Sequence, residues 1–236
     1  MGLPCCLPPM KKNLNVSSGA IYSVSRKVNY CDPHAIIHNF QTVTELNISG
    51  CILAGGRGTR LGGVDKGLVT LGSTTLVEHA INRLLPQVDS LVINANRNTA
   101  IYEKFGWPVV GDANTNFDGP LQGFYAALNH AESDCVAFVP CDCPFFPLDL
   151  VERLIQGLND SDASISVAVT SKRPQPVFTL VRSHLKQSLA EFLARGGRKI
   201  LDWIESETFV KKNFINSEAF DNINTPADLR KAESQL

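Results

Sequence analysis

Short apolar strands alternate with amphipathic helical segments from about Asn47 onward, and this alternation limits the folds open to the chain. The segments "SGCILAG", "SLVINAN" and "DCVAFVP" have the length and apolar content of buried strands. Between them, "TLVEHAINRLL" and "GPLQGFYAALNHAE" repeat apolar residues at helical spacing. The short links between these segments predict an α/β fold of three layers, with helices on both faces of a mostly parallel central sheet.

The C-terminal half is expected to complete the sheet and to build a second subsite. "SISVAVT", "PVFTLVR" and "TFVKKNF" are predicted strands, and "SHLKQSLAEFLA" is a predicted helix ended by Gly196–Gly197. Pro147 is expected to open the helix "PLDLVERLIQGL" as its first residue. In the closing helix Thr225 is the predicted N-cap, Pro226 the first residue and Asp228 an acidic residue of the first turn.

Polar residues follow the predicted strands at the points where they end. Asn94–Asn96 end "SLVINAN", Asp112 ends the short predicted strand "WPVVGD", and Asp142 follows "DCVAFVP". Ligands of open parallel sheets bind at the carboxyl ends of the strands. The sequence therefore predicts a binding site at this edge of the sheet.

A glycine-rich segment, "LAGGRGTRLGGVDKGL" at 53–68, follows the first strand. It is not a Walker A loop, because Gly62 precedes Gly63 and Lys66 precedes Gly67 where that pattern needs Gly-Lys-Ser/Thr. The spacing around Gly56 also misses the dinucleotide pattern G-x-G-x-x-G. A glycine-rich surface turn is the remaining structural alternative.

The same loop suits the phosphates of a nucleoside triphosphate. Glycines let backbone N–H groups approach phosphate oxygens, and Arg60 and Lys66 can offset charge on a leaving pyrophosphate. Asp142 would repel polyphosphate unless a cation bridged them, and Mg²⁺ is usually held by one or two carboxylates plus phosphates. We therefore expect Mg²⁺ at Asp142, whose alternative role is to cap a turn.

Composition excludes several classes of partner. The formal net charge is −1, which provides no basic field for nucleic acid. No apolar run approaches the roughly 20 residues that span a bilayer. The seven cysteines include no CxxC pair, as expected for free thiols in a reducing cytoplasm.

Residues 1–46 differ from the rest of the chain in having proline clusters, polar runs and no sustained period. We predict a largely disordered, dispensable N-terminal extension there, and a single domain over 47–236. His34 and His38 have the i, i+4 spacing of metal ligands, but no third ligand is evident.

With these motifs assembled, the chain resembles the molybdenum cofactor guanylyltransferases, the MobA-type nucleotidyltransferases, over roughly residues 47–236. The resemblance rests on the glycine-rich loop with its "GGVDKGL" ending and on six further motifs: "NAN" at 94–96, Asp112, "GPLQG" at 119–123, "CDCP" at 141–144, "QPVFTL" at 175–180 and "NINTP" at 222–226. Related sugar-nucleotide and cytidylyl transferases usually show "LAAG" and a proline before the lysine, so the glycine at position 55 favours the guanylyl branch.

The resemblance implies a Rossmann-like nucleotidyltransferase fold and transfer of GMP from GTP to molybdenum-bearing molybdopterin, with release of pyrophosphate. It implies catalytic roles for Arg60, Lys66 and Asp142, with Asp142 as the Mg²⁺ ligand. Residues implied to bind GTP are Leu53, Ala54, Gly55, Lys66, Asn94, Asp112 and Asp142. Residues implied near the pterin are Gly119, Gly123, Asn222 and Asn224. Proteins that insert molybdenum or mature the acceptor enzymes are implied partners, with neither nucleic acid nor membrane.

Three alternatives stay open from the sequence. The first concerns three cations, which either bind the pterin phosphate or form a solvated helix end: Arg195, Arg198 and Lys199. A cytidylyl or sugar-1-phosphate transferase of the same fold would differ in nucleotide preference. A non-catalytic GTP-binding or cofactor-carrier protein would release no pyrophosphate.

Overall fold

The computed structural model describes residues 46–54, 65–112, 119–171 and 173–236. The strands are β1 Ile48–Leu53, β2 Thr70–Leu71, β3 Thr74–Thr75, β4 Ser90–Asn94, β5 Val109–Val110, β6 Cys135–Pro140, β7 Ile165–Thr170, β8 Arg173–Arg182 and β9 Phe209–Phe214. The α-helices are α1 Leu76–Leu84, α2 Thr99–Tyr102, α3 Leu121–His130, α4 Leu150–Asn159, α5 Lys186–Ala194, α6 Ile200–Glu205 and α7 Pro226–Glu233. The predicted extension, apart from Leu46, and its two histidines lie outside the described residues.

The described strands form a seven-stranded sheet in the order β5-β4-β1-β6-β8-β7-β9 and a separate β2-β3 hairpin. The first four strands of that order run parallel, and β9 is parallel to β7. Only β8 runs antiparallel to its neighbours β6 and β7. The predicted mostly parallel α/β sheet is therefore confirmed.

Helices cover both faces of the sheet and make the expected three layers. On one face α1 and α4 pack against alternate residues of the central strands, including Ile52, Ile93 and Val139. On the other face α3, α5 and α6 pack against the intervening residues, including Cys51 and Phe138. Both faces of β6 are buried, which explains why its sequence is a continuous apolar run.

The helix after β6 begins later than predicted. The sequence places Pro147 at its first position, whereas α4 begins at Leu150. The Pro147 carbonyl instead accepts hydrogen bonds from the Leu150 N–H, at 3.2 Å, and from Gln87 Nε2, at 3.2 Å. Gln87 Oε1 also accepts the Val151 N–H at 3.0 Å, so a side chain distant in sequence caps this helix.

The closing helix α7 begins as predicted, with a reciprocal cap. Thr225 Oγ1 accepts the Asp228 N–H at 3.2 Å, and Asp228 Oδ2 accepts the N–H groups of Thr225 and Asn224 at 2.8 and 2.9 Å. The Asp228 carboxylate accepts its bond from the Asn224 N–H and further bonds from Thr225. These bonds lower the pKa of the Asp228 carboxyl, and the bond from Asn224 has the largest effect. The cap therefore also fixes the backbone of Asn224, a predicted site residue.

We expect Asp228→Asn to lower the melting temperature at pH 7 and to differ less from the parent protein in acid. Because the folded-state pKa is depressed, the stabilisation is present above the unfolded pKa of about 3.9 and is lost as pH falls through the folded value. Circular-dichroism melts at pH 7 and pH 3, with the exposed Asp162→Asn as control, measure the effect. A difference that persists unchanged at pH 3 contradicts this account.

None of the helices in the described ranges is long and apolar enough to cross a membrane.

Candidate active site at the carboxyl edge of the sheet

A cleft of about 330 Å³ opens at the carboxyl ends of β1, β4 and β6. The register places Leu53 beside both Asn94 and Pro140, so the three strands end in one row. The residues that line the cleft are Leu53, Ala54, Lys66, Asn94, Asp112, Gly119, Pro120, Gly123, Pro140, Cys141, Asp142, Val177 and Asn222. Most of the residues predicted for the site therefore lie in one cleft.

Lys66 and Asp142 form an ion pair across this cleft. Lys66 lies in the 3-10 turn Lys66–Leu68, and its Nζ is 2.8 Å from Asp142 Oδ2. The same Nζ donates a hydrogen bond to Asn224 Oδ1. Both charged side chains are mostly buried, at 17% and 13% exposure, so each depends on the other for charge compensation.

The loop before α7 is fastened to the end of β6 around Asp142. The Ile223 N–H donates to the Asp142 carbonyl at 2.8 Å, and Asn222 Nδ2 lies 3.4 Å from both carboxylate oxygens of Asp142. The Cys143 thiol, 3.3 Å from Asn222 Oδ1, holds that amide in orientation. Burial raises the pKa of Cys143 well above its usual value, so the thiol stays protonated and can donate.

A second polar cluster joins the ends of β4 and β5. Asp112 Oδ1 accepts from Asn94 Nδ2 at 3.0 Å, and Asp112 Oδ2 accepts from Asn96 Nδ2 at 2.6 Å. Asn96 Oδ1 in turn accepts the Asp112 N–H at 2.7 Å. Each carboxylate oxygen keeps a lone pair for a ligand, because one amide donor occupies only part of its capacity.

Two of the predicted glycines, Gly119 and Gly123, stand where another residue would be strained or would collide. Gly119 has φ +94°, a conformation that L-residues other than glycine rarely adopt. A Cβ added at Gly123 would collide with Asn94 Oδ1 and would lie 2.8 Å from Leu53 Cδ2. Gly123 therefore lets α3 approach the ends of β1 and β4.

We expect Gly123→Ala to weaken GTP binding by about tenfold or more while the protein still folds. The added methyl group must displace Asn94 and break its bond to Asp112, whereas alanine is otherwise favoured within helix α3. Calorimetric titration with GTP measures the affinity. Gly111→Ala is the control, since its methyl group would make only ordinary contacts of 3.7 Å or more. Equal GTP affinity in the two variants contradicts the assignment.

The family model of the MobA-like NTP transferase domain matches residues 50–208 of this chain. The chain belongs to the MobA-like NTP transferase family. It is 42% identical to a molybdenum cofactor guanylyltransferase of Shewanella sp. strain MR-4, over 81% of this chain and 98% of that one. It is 47% identical to one from Methylibium petroleiphilum, over 80% of this chain and 97% of that one.

Solved structures agree on the fold of this MobA-like transferase. The Archaeoglobus fulgidus molybdopterin-guanine dinucleotide biosynthesis protein A is 24% identical, with TM-score 0.66 over 79% of this chain and 97% of that one. A CMP:2-keto-3-deoxy-manno-octonic acid synthetase complexed with CTP is 14% identical, with TM-score 0.65 over 80% and 98%. These structures confirm the nucleotidyltransferase fold. The family match and the two sequence relatives make the protein a nucleotidyltransferase enzyme involved in molybdenum cofactor biosynthesis.

Three predicted site residues of this MobA-like transferase are not among the described residues that line the cleft. Gly55 and Arg60 fall outside the described residues. Asn224 does not line the cleft but accepts a hydrogen bond from Lys66, which does. The exposed Arg198 donates to the carbonyls of Leu193 and Gly197, and its own carbonyl would lie 3.4 Å from a Cβ at Gly119. The basic segment 195–199 thus runs beside the Gly119 side of the cleft.

The sequence analysis assigned no individual role to several residues that contribute to the site. Cys143 orients Asn222, Asn96 holds Asp112, and Val177 on β8 lines the cleft. Each lies inside a quoted motif, "CDCP", "NAN" or "QPVFTL". The motif was therefore the available signal, but the role of each residue follows only from its partners in the fold.

Proposed function

We propose that this enzyme transfers GMP from GTP to molybdenum-bearing molybdopterin, giving the guanine dinucleotide form of the cofactor and pyrophosphate. The observation that carries the proposal is the cleft itself. It joins the Lys66–Asp142 pair to the Asn94–Asp112 cluster in a chain 42–47% identical to proteins named molybdenum cofactor guanylyltransferase.

The amide and carboxylate cluster suits the guanosine part of GTP. Guanine presents N1–H and N2–H₂ donors on one edge, and the unoccupied lone pairs of Asp112 can accept such a pair. Cytosine and uracil do not offer two adjacent donors of this kind. We assign Leu53, Ala54, Asn94 and Asp112 to this part of the nucleotide, and Gly119, Gly123 and Asn222 to the acceptor side or the reaction centre.

Phosphoryl chemistry in this cleft requires charge compensation more than a proton acceptor. The attacking phosphate monoester of molybdopterin has a second pKa of about 6 and is mostly dianionic at neutral pH. Its oxygen forms a bond to the α-phosphorus of GTP while the bond to pyrophosphate breaks. Among the described residues lining the cleft there is no histidine, in keeping with a reaction that needs no general base.

We propose that Lys66 binds the phosphates of GTP and compensates charge on the leaving pyrophosphate, together with Arg60. The Lys66 ammonium is held by Asp142 and Asn224, and Lys66 lines the cleft. Holding a cation close to its working position lowers the reorganisation needed when the transition state forms.

Asp142 is the proposed ligand of Mg²⁺. Its carboxylate lines the cleft, and Mg²⁺ prefers one or two carboxylates completed by phosphate oxygens and waters. No group of three His, Cys, Asp or Glu side chains within the described ranges is placed to hold a metal without substrate. When bound, the ion would neutralise phosphate charge and polarise the reacting phosphate.

The test is pyrophosphate release from GTP with purified molybdopterin carrying molybdenum, with and without Mg²⁺. We expect release only when GTP, acceptor and Mg²⁺ are all present, with CTP and UTP competing poorly. Equal rates with CTP or UTP would favour the cytidylyl or sugar-nucleotide alternative.

We also propose that residues 1–46 are dispensable and that 47–236 form the whole catalytic domain. Unchanged pyrophosphate release by a chain beginning at Thr44 would support this proposal, and loss of activity would contradict it.

A further inference from the structure

A buried carboxylate, Asp65, directly precedes the phosphate-binding lysine. Its side chain is 4% exposed. A carboxylate removed from water is costly unless charged or hydrogen-bonding partners surround it. Asp65 therefore needs partners, and the contacts that supply them fix the start of the turn that carries Lys66.

All the described side-chain partners of Asp65 come from the segment that follows β4. The Tyr102 hydroxyl donates to Asp65 Oδ1 at 2.6 Å, and Asn98 Nδ2 donates to Asp65 Oδ2 at 3.0 Å. Arg97 Nε lies 3.7 Å from the same Oδ2. Asn94 lies at the end of β4. The segment after β4 therefore connects the Asn94–Asp112 cluster to the turn that carries Lys66.

The Tyr102 hydroxyl is built into this contact. Tyr102 is completely buried, and burial raises its pKa, so the hydroxyl remains protonated and donates. A Cβ added at Gly67 would collide with that hydroxyl oxygen, so the glycine of "DKG" lets the turn lie against the ring. Asn98 has φ +53°, an uncommon conformation that directs its amide to Asp65.

The backbone of the turn depends on the same residue. The Leu68 N–H donates to the Asp65 carbonyl at 3.1 Å, and the Val69 N–H donates to the Lys66 carbonyl at 3.1 Å. Asp65 thus holds the turn through its carbonyl and anchors it through its carboxylate. The direction of the Lys66 side chain follows from the placement of this turn.

We infer that Tyr102 and Asp65 are a positioning pair that directs Lys66 toward the β- and γ-phosphates of the bound nucleotide. Neither residue contacts the cleft, and both act through Lys66. The inference rests on the proposed function, because it takes the ligand of Lys66 to be a nucleoside triphosphate. By this inference, Asp65 and Tyr102, which are 37 residues apart, make the enzyme bind GTP more tightly than GMP.

The test is the ratio of GTP to GMP affinity in Tyr102→Phe, measured by calorimetry, with inorganic pyrophosphate as a third probe. Removing one charge-assisted hydrogen bond should weaken GTP and pyrophosphate binding about tenfold and leave GMP binding unchanged. Lys66→Ala should show the same selective loss. Tyr125→Phe, which deletes a hydroxyl from a half-buried tyrosine on α3, should leave all three affinities unchanged.

Equal losses of GTP and GMP affinity in Tyr102→Phe would reduce its role to fold stability and overturn the inference. An unchanged GTP-to-GMP ratio in Tyr102→Phe, with the ratio lost in Lys66→Ala, would also overturn it. If Tyr102→Phe does not fold, as judged by thermal melting, Asp65→Asn replaces it with the same expectation. Failure of the parent protein to release pyrophosphate with molybdopterin would refute the proposed function alone, because these affinities need no acceptor.

Discussion

Asp142→Ala is expected to lower the rate of pyrophosphate release by at least about 10³-fold, equivalent to roughly 4 kcal/mol of transition-state stabilisation. Asp142 is the one carboxylate among the described residues that both lines the cleft and contacts Lys66. Its loss removes the proposed Mg²⁺ ligand and leaves Lys66 without its anion. Steady-state pyrophosphate release at saturating GTP measures the effect.

The fold should survive this change, because the contact that fastens the α7 loop to β6 is made by the backbone. The Ile223 N–H bonds the Asp142 carbonyl, which alanine retains. Asp162→Ala, at an exposed position before β7, is the matched control and should keep full activity. Turnover by a folded Asp142→Ala protein at the parent rate would remove Asp142 from the mechanism.

Mg²⁺ dependence separates two reasons for the loss. If Asp142 acts by holding the ion, raising the Mg²⁺ concentration should recover part of the activity of Asp142→Asn, whose amide oxygen is a weaker ligand. If Asp142 acts only by orienting Lys66, added Mg²⁺ should have no effect.

The parallel half of the sheet could be predicted because its information is local. Apolar runs such as Cys135–Pro140 are continuous when both faces are buried, and the connecting helices carry a regular apolar stripe. Parallel neighbours then align their ends, so polar residues such as Asn94 and Asp142 had to meet at one edge. The location of the site follows from the topology, before any contact is known.

Other features could not be predicted because they depend on contacts between distant residues or on very short elements. The β2-β3 hairpin has two residues in each strand, and α6 has six, too few to show a period. The start of α4 is set by Gln87, about 60 residues away. The Tyr102–Asp65 bond likewise leaves no periodic signal, since a buried tyrosine in a short helix is usually a core residue.

The ion pair between Lys66 and Asp142 has a consequence for ligand binding. A mostly buried pair is strongly destabilised if only one partner leaves, because the other charge is then uncompensated. Binding of a nucleotide with Mg²⁺ would supply a new partner to each charge at once, the phosphates to Lys66 and the ion to Asp142. Nucleotide and Mg²⁺ should therefore bind cooperatively, each favouring the exchange that the other needs.

Lys66→Ala should lower kcat/KM for GTP by about 10²- to 10³-fold, the usual effect of deleting one preorganised group that stabilises transition-state charge. The variant should at the same time bind Mg²⁺ more readily without nucleotide, because Asp142 no longer has an ammonium 2.8 Å away. A change that weakens catalysis but strengthens metal binding distinguishes the loss of a phosphate-binding cation from general damage to the cleft.

Lys66→Arg and a distant lysine complete this experiment. Arginine keeps the charge, but its planar group cannot reproduce the contacts of Nζ with both Asp142 and Asn224, so it should restore activity only in part. Lys212→Ala breaks another lysine–aspartate pair, that of Lys212 on the edge strand β9 with Asp160 at 3.4 Å, and should leave kcat/KM unchanged because neither residue lines the cleft. If Lys66→Ala kept the parent kcat/KM, other cations would have to bind the phosphates. Lys66 would then not leave Asp142 for the nucleotide, and the predicted cooperativity would be wrong.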